Sequence, residues 1–493
     1  MNMKFNEWQQ SHIYGPEEQE VESLVFHSKR VQPNAAFFSI KGEQHDGHVF
    51  IEEAIQAGAS TIIGTDREFL QKISQQFPSK TFIHVTDIRD YMATFSKAFY
   101  QAVDEKMTTV GVTGTNGKTT VTAYVRSLLT LLGLPTGSIG TTGIWSSKEK
   151  LTYKKSTPTT PESTDLHQIF HHLYELGDRG ASMEVSSIAL DQKRVQGIWY
   201  DVAIHTNFSE EHLEYHQTME HYKKSKMKLF AQSKAQVINA DDSGMAEDLL
   251  CQHRDTCLTY SIDGDRGADI RADYIDISEE GSTFDLYYSD YYARVYVPVY
   301  GTYNVANVLA AIGTALHLGF TIQEIIHVLP KLEGPEGRFQ VLETPYHKKI
   351  IIDYAHTPVA LNRLVEEVKK LEYDRLICMI AGIGIRDFNK MPKMAEAIDG
   401  KADQVVVTVD HPGYHDPQDV VDKVMTGFRN PYDSSIHQTL TREEGVKKAL
   451  ELGRENDIVL LTSGCINNAQ IIKGEEVPHS DEEIIRAYHP TVV

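Results

Sequence analysis

The sequence predicts an α/β protein of three domains arranged around a central, doubly wound, mostly parallel sheet. Three observations carry that expectation. A glycine-rich strand-to-helix junction, TTVGVTGTNGKTTVTAYVRSLLTLLG, opens the middle of the chain. Short apolar runs alternate with amphipathic stretches along the whole length, the pattern of parallel strands joined by crossover helices. A punctuated segment, KLEGPEGRF, then sets off a final group of apolar runs.

The elements follow in order. Residues 1–100 alternate AAFFSI, TIIG and TFIHV with FIEEAIQAGA, a small α/β unit. Residues 101–335 start at the glycine turn and continue through the strands ASMEVSS, DVAIHTN and QVINADD. Near residues 259–300 the apolar positions switch to period two (GSTFDLYYSDYYARVYVPVY), which predicts a small antiparallel insertion. Residues 336–493 carry KKIIIDYAH, RLICMIAGIG, DQVVVTVD and DIVLLTSG, spaced as a third, Rossmann-like α/β domain.

Composition excludes several classes of function. With 493 residues, 41% hydrophobic and 24% charged, the chain reads as an ordinary soluble protein too long for one core. A net charge of −21 opposes a main role in neutralising nucleic-acid phosphates. The longest apolar stretch, residues 376–385, contains Gly382 and Gly384 and falls well short of the ~20 residues that span a bilayer. The polar start MNMKFNEWQQSHIYG lacks the succession of a secretory signal. Cys251, Cys257, Cys378 and Cys465 form no CxxC pair, so no metal or disulfide framework is indicated. A cytoplasmic monomer without membrane insertion is the expectation.

The segment Gly111–Thr120, GVTGTNGKTT, carries the strongest chemical signal. Backbone N–H groups of Gly114, Thr115, Asn116 and Gly117 can converge on phosphate oxygens while the helix N-terminus adds its positive end. Lys118 can reach the outer phosphates and Thr119, beside Thr120, can coordinate Mg²⁺, which is ATP chemistry. Val112 stands where GxxxxGK[ST] has its first glycine, a small departure. Glu184, His212 and Lys226 follow in the same region; taken singly, a strand-end Glu, a surface His and a basic helical face explain them better than a catalytic role does.

Together, HSKRVQPNAAFF, KGEQHDGH, TGTNGKTT, TTPES, MEVSS, HTNFSEEHLEYH, KSKMKLF, INADD, GTYNVANVLAA, GPEGRF, IIDYAHTP, GIRDFNK and VDHP form an ordered series. That series resembles the Mur ligase superfamily of ATP-dependent amide-bond-forming enzymes, and within it the branch of UDP-N-acetylmuramoyl-tripeptide synthetases. The resemblance implies that the γ-phosphate of ATP passes to a substrate carboxylate and that an amine displaces phosphate from the acyl phosphate, a step of peptidoglycan precursor synthesis. It implies Thr119 and Glu184 at one Mg²⁺, His212 at a second, and Lys226 as a carbamylated lysine. Asn304, Arg338, Asp353 and His356 would surround ATP. Ser28, Thr159, Thr160, Ser186, Gln192 and Arg194 would hold the UDP-linked muramoyl peptide, and Arg386, Asp410, His411 and Asn467 the incoming amino acid.

Some positions depart from that pattern. Ile188 replaces a family histidine, Ile385 an acidic residue, and VDHPGYHDP places His411 and Gly413 where a DNPR motif grips meso-diaminopimelate. TSGCINNAQ puts the neutral Asn467 where a glutamate reads the amino acid. The expected acceptor is therefore an amino acid other than meso-diaminopimelate, such as L-lysine. A related ligase acting on another carboxylate or amine is the alternative. A non-catalytic ATP-binding regulatory subunit is the alternative from another class, opposed by Glu184, His212 and Lys226.

Overall fold

A computed structural model describes residues 2–5, 12–42, 46–153, 156–264, 267–278, 280–344, 347–385, 388–464 and 469–488. Arg386 and Asn467 lie outside them. The described residues build three principal sheets in succession along the chain, with strands over 12–84, 108–297 and 340–461.

The first sheet orders His12–Tyr14, Thr81–His84, Thr61–Gly64, Ala35–Phe38 and Ser23–Val25, parallel except for the first strand. Its strand Ala35–Phe38 is buried at every position, so both faces need cover and the sequence reads as a continuous apolar run. Helix Ile88–Phe99 covers one face, started by Asp87, whose carboxylate accepts from the Arg89 and Asp90 N–H groups.

The central sheet has eleven strands. Thr108–Thr113 lies in its middle, between Gly180–Glu184 and Tyr200–His205, all parallel. Helix Lys118–Leu131 leaves the end of Thr108–Thr113, and helix Thr302–His317, buried over most of its length, packs in the same core. The expected antiparallel insertion is present, as Ile270–Ile277, Ser282–Tyr288 and Tyr291–Val297. Ile270–Ile277 pairs in parallel with Cys257–Ser261, so the antiparallel strands up to Val297 extend the same sheet rather than forming a separate one.

The third sheet orders Gln340–Thr344, His347–Ile352, Ile458–Leu461, Leu376–Ile383, Gln404–Asp410 and Ile436–Gln438. Only its first strand runs antiparallel to its neighbour. In such open sheets, ligands bind in the crevice beyond the C-terminal ends of the strands. Among the described residues no helix is long and apolar enough to cross a membrane.

Candidate functional site

Beyond the end of strand Thr108–Thr113 the chain turns through Gly114–Gly117 into helix Lys118–Leu131. Gly114 has φ 151°, and a Cβ there would lie 1.9 Å from Thr206 Oγ1, so only glycine fits. A neighbouring segment straps the turn down. Asn207 Oδ1 accepts from the Asn116 N–H at 2.9 Å, Thr206 Oγ1 donates to the Asn116 carbonyl at 2.6 Å, and Thr115 Oγ1 accepts from the Ser209 N–H at 2.9 Å. The sequence reading missed Thr206 and Asn207 as site residues, although both lie in the HTNFS run that leaves the adjacent strand.

Two lysines converge on this turn. Lys118 Nζ donates to the Gly114 and Thr115 carbonyls, each at 2.8 Å, and Lys226 Nζ donates to the same Gly114 carbonyl at 2.7 Å. Lys226 is 1% exposed and its ammonium sits 4.6 Å from the Tyr222 ring centroid. Burial pushes both lysines down from the usual range; Lys226 goes well below it, helped by the charge of Lys118. Both shifts favour the neutral amine over the ammonium.

Glu184 ends the strand Gly180–Glu184 and is buried, its carboxylate accepting from the Thr141 N–H at 2.7 Å and the Thr141 hydroxyl at 3.2 Å. Its charge acts on Lys118, which places it at the same mouth. Thr119 is buried in the first turn of the helix. His212 lies further out, with a side chain 40% exposed, at φ 57°, beside Glu214 at 3.4 Å and edge-on to Tyr222. Among the described residues no group of three His, Cys, Asp or Glu side chains is already assembled around a point. The hydroxyl of Thr119 and the carboxylate of Glu184 are hard oxygen ligands suited to Mg²⁺, which takes few protein ligands and completes its shell with phosphate and water.

A cavity of about 480 Å³ opens between the glycine turn and the third sheet, lined among others by Asn116, Asn304, Asn307, Arg338 and Asp353. Asn304 is fixed by donating to the Tyr300 carbonyl at 2.8 Å. Asp353 accepts from the Phe339 and Ala355 N–H groups at 2.8 and 2.7 Å, yet burial raises its carboxyl above the usual range. The Arg338 guanidinium lies over the Tyr354 ring at 4.9 Å. His356 does not line the cavity; its ring packs on Tyr354 with Nδ1 3.0 Å from the Tyr354 carbonyl.

On the other side of Glu184 a second cluster forms. Thr160 Oγ1 donates to the Glu184 carbonyl at 3.0 Å and lies 3.2 Å from Ser186 Oγ, while Thr159 and Thr141 hydroxyls are 3.3 Å apart. Arg194 donates to the Thr160 carbonyl at 3.0 Å and to Gln192 Oε1 at 2.7 Å. Glu162 joins Arg194 at 3.1 Å to Arg89 at 3.1 Å, tying the first domain's helix to this cluster. Neither Glu162 nor Arg89 was singled out from sequence, although Glu162 stands inside the quoted TTPES run. Ser28 begins the turn Ser28–Arg30, outside this bonded set. Arg30 lines a further cavity of about 590 Å³ between strand Ser23–Val25 and helix Ser163–Glu175, with Tyr153, Asp165 and His172.

At the third sheet, Asp410 ends its strand fully buried, accepting from Gln470 Nε2 at 2.6 Å and the His411 N–H at 3.0 Å. Both bonds fall on Oδ1, and Oδ2 accepts no hydrogen bond among the described residues. His411 Nδ1 accepts from the Ile471 N–H at 2.9 Å. Gly413 follows at φ 63°, pairing with the hairpin strand Ala469–Ile472.

Comparison with known proteins agrees with this layout. Residues 20–100 match the model described as Mur ligase family, catalytic domain. Residues 112–315 match the Mur ligase middle domain and 337–465 the Mur ligase, glutamate ligase domain. The chain is 34% identical to UDP-N-acetylmuramoyl-L-alanyl-D-glutamate–2,6-diaminopimelate ligase 2 of Clostridium acetobutylicum, over 94% of each chain. It is 32% identical to the corresponding ligase of Bacillus licheniformis, over 96% of this chain and 95% of that one. A solved structure of a ligase with the same substrate name superposes with a TM-score of 0.69 at 29% identity, over 99% and 98% of the two chains. The Thermotoga maritima MurF ligase in complex with ADP shares the fold, with a TM-score of 0.62 at 20% identity, over 90% and 94%.

Proposed function

The chain belongs to the Mur ligase family of ATP-dependent ligases, and from that premise we propose that it joins UDP-N-acetylmuramoyl-L-alanyl-D-glutamate to an amino acid through an acyl phosphate. The convergence of Lys118 and Lys226 on the Gly114 carbonyl, beside Glu184, carries this reading. A carboxylate repels nucleophiles; phosphorylation gives it a good leaving group. The substrate carboxylate oxygen attacks the γ-phosphorus and ADP leaves. The free amine then attacks the acyl carbon, phosphate leaves with the bonding pair, and the amine sheds a proton.

Lys118, released from its carbonyls, steadies the transferring phosphoryl group electrostatically. Thr119 and Glu184 would hold Mg²⁺ and His212 a second ion, which would neutralise charge between ATP and the carboxylate. Lys226, whose neutral form burial favours, attacks CO₂ through its nitrogen and loses a proton, becoming an anionic carbamate. Asn304, Arg338 and Asp353 hold the nucleotide across the cavity, with His356 behind Tyr354. Thr159, Thr160, Ser186, Gln192 and Arg194 hold the muramoyl peptide, and Ser28 its uridine end. The domains fall at 1–100, 101–335 and 336–493, and the enzyme works as a cytoplasmic monomer.

For the acceptor, the names of the relatives specify 2,6-diaminopimelate, against the expectation from sequence. We hold to a different amino acid, such as L-lysine, because Gly413 offers no guanidinium for a distal carboxylate. Arg386, Asp410, His411 and Asn467 are the proposed contacts.

The test is oxygen transfer. With both oxygens of the reacting substrate carboxylate labelled as ¹⁸O, an acyl phosphate delivers one label to the released phosphate. Phosphate without label overturns the reading.

A further inference from the structure

The cluster around Thr160 and Arg194 lies in the central domain but is braced from the first. Helix Ile88–Phe99 and its cap Asp87 meet the turn of residues 192–197, which carries Gln192 and Arg194. Lys193 Nζ lies 2.5 Å from Asp87 Oδ2, Lys97 Nζ donates to the Gly197 carbonyl at 2.7 Å, and Arg89 Nη1 lies 3.5 Å from the Gln192 carbonyl. Lys193 has a left-handed backbone, φ 57°, without being glycine. Such a conformation persists where neighbours fix it, and here Asp87 holds the side chain of the residue between Gln192 and Arg194.

Glu162 stands at the centre of this contact, its side chain 7% exposed between two guanidiniums. Its Oε2 accepts from Arg89 Nη1 at 3.1 Å across the domain boundary, and its Oε1 pairs with Arg194 Nε at 3.1 Å. Arg194 Nη1 donates to the Thr160 carbonyl and Nη2 to Gln192 Oε1. A guanidinium carries five N–H donors in a rigid fork, so each terminal nitrogen keeps one N–H beyond these bonds. Glu162 fixes the fork at its Nε end and leaves the terminal nitrogens able to take an anionic group. Arg89, Glu162 and Arg194 do not line the nucleotide cavity, and their bonds among the described residues do not reach the glycine turn. Thr160 touches Glu184 only at its backbone carbonyl, while Thr141 holds the Glu184 carboxylate.

We infer that Arg89 and Glu162 are positioning residues for the muramoyl-peptide donor: Arg89 reaches from the first domain to hold Glu162, and Glu162 holds Arg194 in the orientation that receives an anionic group of the donor. This rests on the donor reading above, in which Arg194 binds the muramoyl peptide. The first domain then contributes to the donor site a brace for the central domain's arginine, besides Ser28.

Calorimetric titration of the full-length enzyme separates the two ligands. A non-hydrolysable ATP analogue with Mg²⁺ is titrated first, and UDP-N-acetylmuramoyl-L-alanyl-D-glutamate is then titrated into the loaded enzyme. Glu162→Gln keeps the shape and removes the charge; donor affinity should fall about tenfold, the scale of one charge-assisted bond, with affinity for the analogue within about twofold. Arg89→Ala should weaken donor binding by less, about threefold, and Arg89→Lys should restore most of that loss. The double variant Arg89→Ala with Glu162→Gln should bind donor no more weakly than Glu162→Gln alone, because Arg89 acts through Glu162. Additive losses, or equal losses for donor and analogue, overturn the inference. If Glu162→Gln does not fold, Arg89→Ala and Arg89→Lys decide by the same selectivity. Wild-type enzyme that binds the analogue but no donor defeats the donor reading itself; wild-type donor binding with unshifted variants defeats only the brace.

Discussion

The glycine turn and the acceptor crevice stand at the strand ends of two parallel sheets, yet charge is used in opposite ways. At the turn, two buried lysines point outward to the mouth, sharing one carbonyl and meeting no carboxylate closely enough to form a hydrogen bond among the described residues. At the crevice, Asp410 accepts from Gln470 and the His411 N–H through one carboxylate oxygen, and the buried Arg442 donates to Asp481 and the Ser463 carbonyl within the domain. The first arrangement leaves Lys118 for an anionic substrate and Lys226 for carbamylation; the second stiffens walls whose outer residues decide what fits. Chemistry common to a family can therefore persist at one end while selectivity shifts at the other.

The largest expected break in this comparison comes from the lysines. Lys118→Ala and Lys226→Ala should each lower turnover about 10³-fold, as loss of a key electrostatic group does, with the fold retained by circular dichroism. Near-normal turnover in either would remove the contrast. Next is an attempt to convert the crevice. His411→Asn with Gly413→Arg restores the DNPR spacing and should raise kcat/KM for meso-diaminopimelate about tenfold, the value of one charge-assisted hydrogen bond. The double variant should also melt earlier, because residue 413 has φ 63° and a Cβ there would lie 2.8 Å from Ile385 Cγ2.

Smallest is the response to acid. Burial pushes His167 down to about 3 and His216 down to about 4, the latter also through His221, and lowers His205 despite its Asp242 partner. All three lie in the central domain. Unfolded histidines protonate near 6.5. Between that value and about 4 the unfolded chain binds more protons than the folded one, so stability falls as pH falls. Melting followed by fluorescence of Trp145 and Trp199, both in the central domain, should drop in temperature across this window, and His167→Gln should flatten the drop.

Much of the nucleotide end was legible because its parts are contiguous. A strand, a glycine turn and Lys118–Thr120 occupy one short run, and the sheet then delivers Glu184 from the next strand over. The strap of Thr206 and Asn207 was harder to read, since its partners lie about ninety residues away in sequence, Asn116 and Asn207 being 91 apart. Arg442 was unreadable for the same reason; its partners Thr462, Ser463 and Asp481 are brought together only by the third sheet and the last helix. Asp410 was legible only by position. Its strand-end position suggested a ligand contact, but the Gln470 and His411 bonds to its Oδ1 come from pairing that the sequence does not write. The antiparallel stretch was seen as such, but pairing register, which joined it to the main sheet, is not written in alternation alone.

The most direct test of the central contrast is a competition. Purified enzyme with Mg²⁺-ATP and UDP-N-acetylmuramoyl-L-alanyl-D-glutamate is offered an equimolar mixture of amino acids that includes meso-diaminopimelate and L-lysine, and products are read by mass. An intact nucleotide end with a changed acceptor end predicts a single tripeptide product, dependent on ATP and the muramoyl peptide, that does not contain meso-diaminopimelate. A product dominated by meso-diaminopimelate would contradict it.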